Sequence, residues 1–312
     1  MSTKILVAGS ANLDFVVQAP HIPAPGETVL GTSYRNFPGG KGANQAVACA
    51  RAGGVSTAFL GAFGEDGLAL PIMSSLRDAG VELHQVVSPS EPTGTAFICV
   101  AANGENAITV VPGANKDLQP CHLPALDGIA YLLMQLETPL PTVLAFAAKA
   151  RQAGVRVVLN AAPAQPQART VLHDVDVLVV NEGELLQLSP TRGTIASMMQ
   201  SLRVATVVTT LGSKGCVALS AQGFLVQPAF PVEAVDTTAA GDTFCGTFVA
   251  ALAHNCSLAD ALHLASLAGA LACTRPGAQN SIPSRTEVLA LMASAPSATS
   301  EQVTTLERYC GL

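Results

Sequence analysis

Short β-branched apolar runs alternate with longer Ala- and Leu-rich stretches along most of this chain, and this alternation constrains the fold more than any other feature. Ile5 to Ala8, Thr57 to Ala62, Ala130 to Leu136, Val155 to Leu159, Val175 to Val180 and Thr206 to Thr210 read as strands of the buried type. Between them lie helical stretches. Ala43 to Ala52 stops at Gly53-Gly54, Leu68 to Ala79 stops at Gly80, and a helix capped by Thr138 stops at Gly154. Further helices are expected near Ile195 to Leu202, Ala240 to Ala253, Leu258 to Cys273 and Thr286 to Met292. Such a pattern predicts an α/β fold with a central, mainly parallel sheet flanked by helices.

Two segments lack intervening helices, Asp14 to Phe37 and Gly94 to Val111. Their strand candidates are Phe15 to Val17, Thr28 to Leu30, Thr95 to Val100 and Ala107 to Val111. Together they predict a small antiparallel sheet projecting from the body, placed to cover a site or to pair with a second subunit. Residues 1–293 are expected to form a single domain. Residues 294–312 are expected to form a flexible tail, with a short helix over Val303 to Arg308.

Charge and cysteine usage then narrow the class. Lys and Arg number 16 against 22 Asp and Glu, a net charge of −6, which argues against nucleic acid as the main partner. A local basic site for a small anion stays open. The 8 cysteines form no CxxC pair and no zinc spacing, so they read as thiols in a reducing compartment. The most apolar region, Phe244 to Cys273, is broken by His254, Asn255, Asp260 and His263, and the first apolar run is too short for a signal peptide. A soluble cytoplasmic protein is expected. Walker-type loop, dinucleotide fingerprint, nucleophile elbow and zincin motif are all absent from the sequence.

Three glycine-rich places carry the chemistry that the sequence offers. Gly39-Gly40-Lys41-Gly42-Ala43-Asn44 runs into a helix; it is either a tight turn or a place where backbone approaches a ligand and Asn44 reads hydroxyls. Asp236-Thr237-Thr238-Ala239-Ala240-Gly241-Asp242-Thr243-Phe244 leads small residues into a long apolar helix, whose free N–H groups make an anion site. Asp242 there is either a plain cap or a base that takes a proton from a hydroxyl attacking a phosphate. Thr210-Leu211-Gly212-Ser213-Lys214-Gly215 follows a buried strand as a hairpin turn or as a ligand loop at the sheet edge.

In this order, the three strings resemble the ribokinase-like (pfkB) family of carbohydrate kinases over about Lys4 to Met292. Finer matches are Gly9-Ser10-Ala11-Asn12-Leu13-Asp14, Gly40 to Ala46, Val111-Pro112-Gly113-Ala114-Asn115 and Gln135-Leu136-Glu137-Thr138. The resemblance implies a ribokinase-like fold and ATP-dependent phosphorylation of a sugar, D-ribose at O5. It makes Asp242 the general base and gives Ala239, Ala240 and Gly241 the anion hole for the transferring phosphoryl group. Asn12, Asp14, Gly40, Lys41, Gly42, Asn44 and Glu137 match sugar-binding positions. Asn181, Thr210, Leu211, Gly212, Ser213, Lys214, Gly215 and Gly241 match the ATP site, with Ser266 near the adenine. Glu184, in the string Asn181-Glu182-Gly183-Glu184, would hold Mg²⁺ through water. A potassium ion would lie at Asp236, Thr238, Ala272, Arg275, Gly277 and Ser281, mostly on main-chain carbonyls. A homodimer through the projecting sheet is implied as well. The rival readings are a sibling kinase for 2-deoxyribose, another sugar or a nucleoside, and a non-catalytic sugar-binding protein on the same fold. The segment from Leu188 to Val204 looks short for the family.

Overall fold

The computed structural model describes residues 3–312. In chain order its elements are β1 (Lys4–Ala8), β2 (Asn12–Ala19), β3 (Ser33–Gly39), α1 (Lys41–Arg51), β4 (Thr57–Gly64), α2 (Ala69–Asp78), β5 (Glu82–Ser88), β6 (Gly94–Ala101) and β7 (Asn106–Val111). There follow β8 (Ile129–Met134), α3 (Leu140–Gln152), β9 (Arg156–Asn160), β10 (Val177–Asn181), α4 (Glu182–Leu188), α5 (Ile195–Ser201), β11 (Thr206–Thr210), β12 (Gly215–Ser220) and β13 (Gly223–Pro228). Four helices close the chain: α6 (Ala240–Ala253), α7 (Leu258–Cys273), α8 (Arg285–Ser294) and α9 (Ser300–Cys310).

The main sheet has nine strands in the order β13-β12-β11-β10-β9-β8-β1-β4-β5. Its neighbours from β5 to β11 are parallel, and β12 and β13 extend one edge as an antiparallel hairpin. Both faces are buried, which is why the parallel strands read as continuous apolar runs. Along β8, Tyr131 and Leu133 face one core and Leu132 and Met134 the other. The first core is closed by α1, α2, α6, α7 and α8, the second by α3, α4, α5 and α9.

A second sheet, β3-β2-β6-β7, forms the lid. Its outer pairs are antiparallel, but its central pair, β2 with β6, is parallel. The chain passes through β4, α2 and β5 between those two strands and re-enters the lid in the same direction. Thr28 to Leu30 is not a strand: Leu30 is 86% exposed, and β2 pairs instead with Ser33–Gly39. Thr138 does not cap α3, which begins after Pro139 with no side-chain cap bond.

The C-terminal segment departs from the expected flexible tail. α9 carries a capping box from Thr299 and Gln302, and it packs on the second core through Leu306 and Cys310. Thr299 supplies the N-cap, and the apolar stripe has a sheet face to cover. No helix among the described residues is long and apolar enough to cross a membrane.

Candidate active site

The carboxyl ends of the parallel strands deliver the polar residues, as expected of α/β sheets. Gly9 to Ala11 follow β1, Gln135 and Glu137 follow β8, Asn160 ends β9, Asn181 ends β10 and Thr210 ends β11. Two helices, α1 and α6, begin there without a side-chain cap. No capping side chain therefore sits on the first N–H groups of α6, whereas the Lys41 and Gly42 N–H groups of α1 go to Glu137 and Ser10. Gly40 precedes α1 at φ 89°, and Ala239 precedes α6 at φ 58°. A left-handed alanine is strained by about 1–2 kcal/mol, and such strain collects at functional sites.

Asp242 stands in the first turn of α6, 8% exposed. Its Oδ2 accepts the Asn44 Nδ2–H at 2.9 Å, and its Oδ1 accepts the Gln45 Nε2–H at 2.8 Å. Asn44 Oδ1 is buried and has no partner among the described residues. A sugar hydroxyl would supply the missing donor. Ala240 N–H turns back to the Thr237 carbonyl at 3.3 Å.

Glu137 is tied to the start of α1. Its Oε2 accepts the Ser10 hydroxyl at 2.6 Å and the Lys41 N–H at 3.2 Å, and its Oε1 lies 4.0 Å from Lys41 Nζ. Ser10 Oγ in turn accepts the Gly42 N–H at 3.3 Å. Asn12 is pinned by Asn115, whose Nδ2 donates to Asn12 Oδ1 at 2.8 Å and whose Oδ1 accepts the Ala11 N–H at 2.9 Å. Asp14 packs its carboxylate on Gly39, where a Cβ would stand 2.2 Å from Oδ2.

Burial, then the charges of Glu137 and Asp242, push the Asp14 carboxyl up to about 7 against a partial offset from Lys41. Burial by itself would lower Lys41, but the carboxylates around it, Asp242 first, hold the ammonium above its ordinary value. Burial also raises Glu184, partly offset by the Asn181 N–H and by Lys41. Asp14 lines a cleft of about 450 Å³ between the underside of the lid and the 234–238 and 276–278 segments. Asn12 and Glu137 line a second cleft of about 380 Å³, and Asp242 lines neither opening.

Among the residues expected at the nucleotide, the Asn181 and Glu184 spacing is a capping box. Asn181 Oδ1 accepts the Glu184 N–H at 2.8 Å, and Glu184 Oε2 accepts the Asn181 N–H at 2.7 Å. Thr210 to Gly215 is both a hairpin turn and a loop at the sheet edge, closed by Leu211 N–H on the Gly215 carbonyl at 2.8 Å. Lys214 Nζ lies 4.6 Å above the Tyr309 ring. Ser266 on α7 sits beside β12, its Oγ 3.7 Å from Cys216 Sγ.

Of the expected potassium positions, Asp236, Thr238 and Gly277 are joined by hydrogen bonds. Asp236 Oδ1 accepts the Thr238 N–H and Oδ2 the Gly277 N–H, each at 2.9 Å. Ser281 is buried, its hydroxyl on the Ala278 carbonyl at 2.8 Å. The Arg275 guanidinium is held by Glu287 at 2.5 Å, and as a donor-only group it has no acceptor for a cation. Among the described residues, no three His, Cys, Asp or Glu side chains form a metal cluster.

Sequence reasoning gave no role to Ser10, Gln45, Asn115 or Asn160. Three of these lie inside quoted motifs, but their partners are far away in the chain.

A family model described as pfkB family carbohydrate kinase matches residues 2–285. Ribokinase of Haemophilus influenzae is 39% identical over 301 residues, covering 93% of this chain and 98% of that protein. The crystal structure of ribokinase from Thermotoga maritima superposes with a TM-score of 0.87 at 34% identity, covering 94% and 100%. Ribokinase of Arabidopsis thaliana, solved in complex with ribose and ATP, gives 0.84 at 33% identity, covering 94% and 99%.

Proposed function

The chain belongs to the pfkB family of carbohydrate kinases, and from that premise we propose that it transfers the γ-phosphoryl group of ATP to the 5-hydroxyl of D-ribose, giving D-ribose 5-phosphate and ADP. The observation that carries this reading is Asp242. It is a carboxylate held by two amides at the uncapped start of a 14-residue helix, beside a buried Asn44 oxygen that lacks a donor. A sugar-binding protein has no need of a base at a helix N-terminus.

Asn12, Asp14, Asn44 and Glu137 supply the acceptors for a polyol, with Lys41 and the N–H groups of Lys41 and Gly42 beside them. The sugar O5–H faces Asp242. As O5 forms its bond to phosphorus, the proton passes to the carboxylate and the bond to the bridging oxygen of ADP breaks, ADP keeping the electron pair. Charge on the transferring phosphoryl is met by the first N–H groups of α6 and by the helix dipole. Thr210 to Gly215, Asn181 and Ser266 line the nucleotide side.

Glu184 is the carboxylate placed to hold Mg²⁺ through water, and the ion when bound draws charge from the phosphates. The Asp236 carboxylate, with main-chain carbonyls beside it, would suit a hard monovalent cation, which would brace the loop that leads into α6. The lid presents Phe15, stacked on Phe97 at 5.3 Å and on Tyr34 at 6.1 Å, with Phe97 51% exposed, and this supports a homodimer closed through that sheet. Eight free cysteines support the cytoplasm as the compartment.

The test is ADP release with ATP, Mg²⁺ and K⁺ over D-ribose, 2-deoxyribose, fructose, adenosine and no acceptor. The expected result is turnover strongest on D-ribose, falling when Na⁺ replaces K⁺. A different preferred acceptor overturns the choice of sugar. Absence of turnover on every acceptor, with ATP still bound, overturns the kinase reading.

A further inference from the structure

Asn44 serves the sugar site, but Gln45, its neighbour on α1, lines neither cleft and is 0% exposed. Its amide is nonetheless fully engaged. One Nε2–H goes to Asp242 Oδ1 at 2.8 Å and the other to Asn160 Oδ1 at 2.9 Å, while Oε1 accepts the Gln135 Nε2–H at 2.6 Å. Asn160 Nδ2 donates to the Val179 carbonyl at 3.1 Å.

These bonds leave one orientation for each amide. The Val179 carbonyl can only accept, so the nitrogen of Asn160 faces it and its oxygen faces Gln45. A flipped Gln45 would set its oxygen against two acceptors, Asp242 and Asn160, and its nitrogen against the nitrogen of Gln135. In a buried site those losses are large. The far end is packed as tightly: a Cβ on Gly9 would stand 2.0 Å from Gln135 Oε1. The amides thus link the backbone of β10, through Asn160 at the end of β9 and Gln45 on α1, to the first turn of α6, with Gln135 after β8 joining at Gln45 as a branch.

We infer that Gln45 is a positioning residue for phosphoryl transfer, the last member of a buried amide relay that fixes the rotation of the Asp242 carboxylate. The inference rests on the reading of Asp242 as the base. With Oδ1 bound to the relay, Oδ2, on the side of Asn44 and the sugar, is the oxygen that takes the O5 proton. The other groups around Asp242 are Asp14 on β2, Lys41 on α1, Glu184 on α4 and Cys245 on α6. None of them is altered by a substitution at position 45.

The test compares wild type, Gln45→Met, Gln45→Glu and Gln135→Met by kcat, both KM values and the acid limb of kcat at saturating substrates. Gln45→Met is expected to lower kcat about 10–100-fold with both KM values within about threefold. Loss of a donor to an ionised carboxylate favours its neutral form, so the acid limb moves up by about one pH unit. Gln45→Glu moves it further, because two adjacent carboxylates share a proton. Gln135→Met, which touches neither Asp242 nor substrate, moves it in the same direction by less. A merely structural role would lower the thermal midpoint and leave the acid limb in place. Folded Gln45 variants with wild-type kcat and acid limb, beside an inactive Asp242→Asn, overturn the inference alone. Retained turnover in Asp242→Asn overturns the reading beneath it.

Discussion

Asp14 illustrates how a single buried carboxyl makes stability depend on pH. Its carboxyl lies at about 7 rather than 3.8, burial being the main cause. The folded, ligand-free protein therefore holds a proton there that the unfolded chain releases at lower pH. The stability this proton gives is present below about pH 4 and declines as pH rises to about 7. Asp14→Asn should stabilise the ligand-free protein at pH 8 and change it little at pH 4, as read by thermal midpoints. If ribose hydroxyls bond the ionised form, the Kd for ribose should rise by up to about tenfold from pH 7 to pH 6, and Asp14→Asn should flatten that slope. A pH-independent Kd in wild type contradicts the account. Gly241 separates fold from function in another way. A Cβ there would meet nothing within 4 Å, and alanine favours a helix by up to about 1 kcal/mol. Gly241→Ala should keep or raise the melting temperature, yet lower kcat/KM for ATP by about tenfold or more, because its methyl occupies the phosphate side of the anion hole. At this scale the motifs exposed Asp242, Asn44 and Asp14. Gln45 was not legible, since its role depends on Asp242, 197 residues away, and on Asn160, 115 residues away.

Helix starts show what the sequence pattern can and cannot separate. α4 begins with a complete capping box, so the spacing of Asn181 and Glu184 is already explained by helix geometry. α6 begins with a strained alanine and no cap, which local propensity does not explain and an anion does. The parallel strands were legible because both of their faces are buried. β12 and β13 were not, since an edge hairpin with partly exposed residues has no continuous apolar run. Ser294 to Ser300 has the composition of a linker, and the short amphipathic stripe of α9 has meaning only against β13. Leu306 and Cys310 are buried there, and the Tyr309 hydroxyl donates to Glu182 at 2.8 Å while its ring lies under Lys214. Truncation after Ala295 should cost about 2–4 kcal/mol of stability. It should also raise KM for ATP about two- to fivefold, through loss of the Lys214 contact, while KM for ribose holds. An unchanged melting temperature in the truncated protein would show that α9 does not dock.

For the molecule as a whole, the polar groups of the site gather at one edge of the main sheet, the carboxyl ends of its parallel strands, with Asn12 and Asp14 added by lid strand β2, Asn44 and Gln45 by α1 and Asp242 by α6. The lid has its own sheet and an aromatic outer face, on which the proposed dimer rests. Light scattering should give a dimer for wild type and a monomer for Phe97→Glu, whose charge would sit within the stack; a monomeric wild type contradicts this arrangement. The overall layout and the kinase class were legible from three glycine-rich strings in order. The parallel pairing of β2 and β6 was not, because strand direction within the lid is set by the passage of the chain through the main sheet. Proton transfer from the sugar hydroxyl to Asp242 is tested by Asp242→Asn, with turnover measured beside calorimetric binding of ribose and ATP. A fall in kcat of about 10²–10⁴ with ribose affinity within about threefold is expected; turnover near the wild-type rate in a variant that binds both substrates would rule out Asp242 as the base.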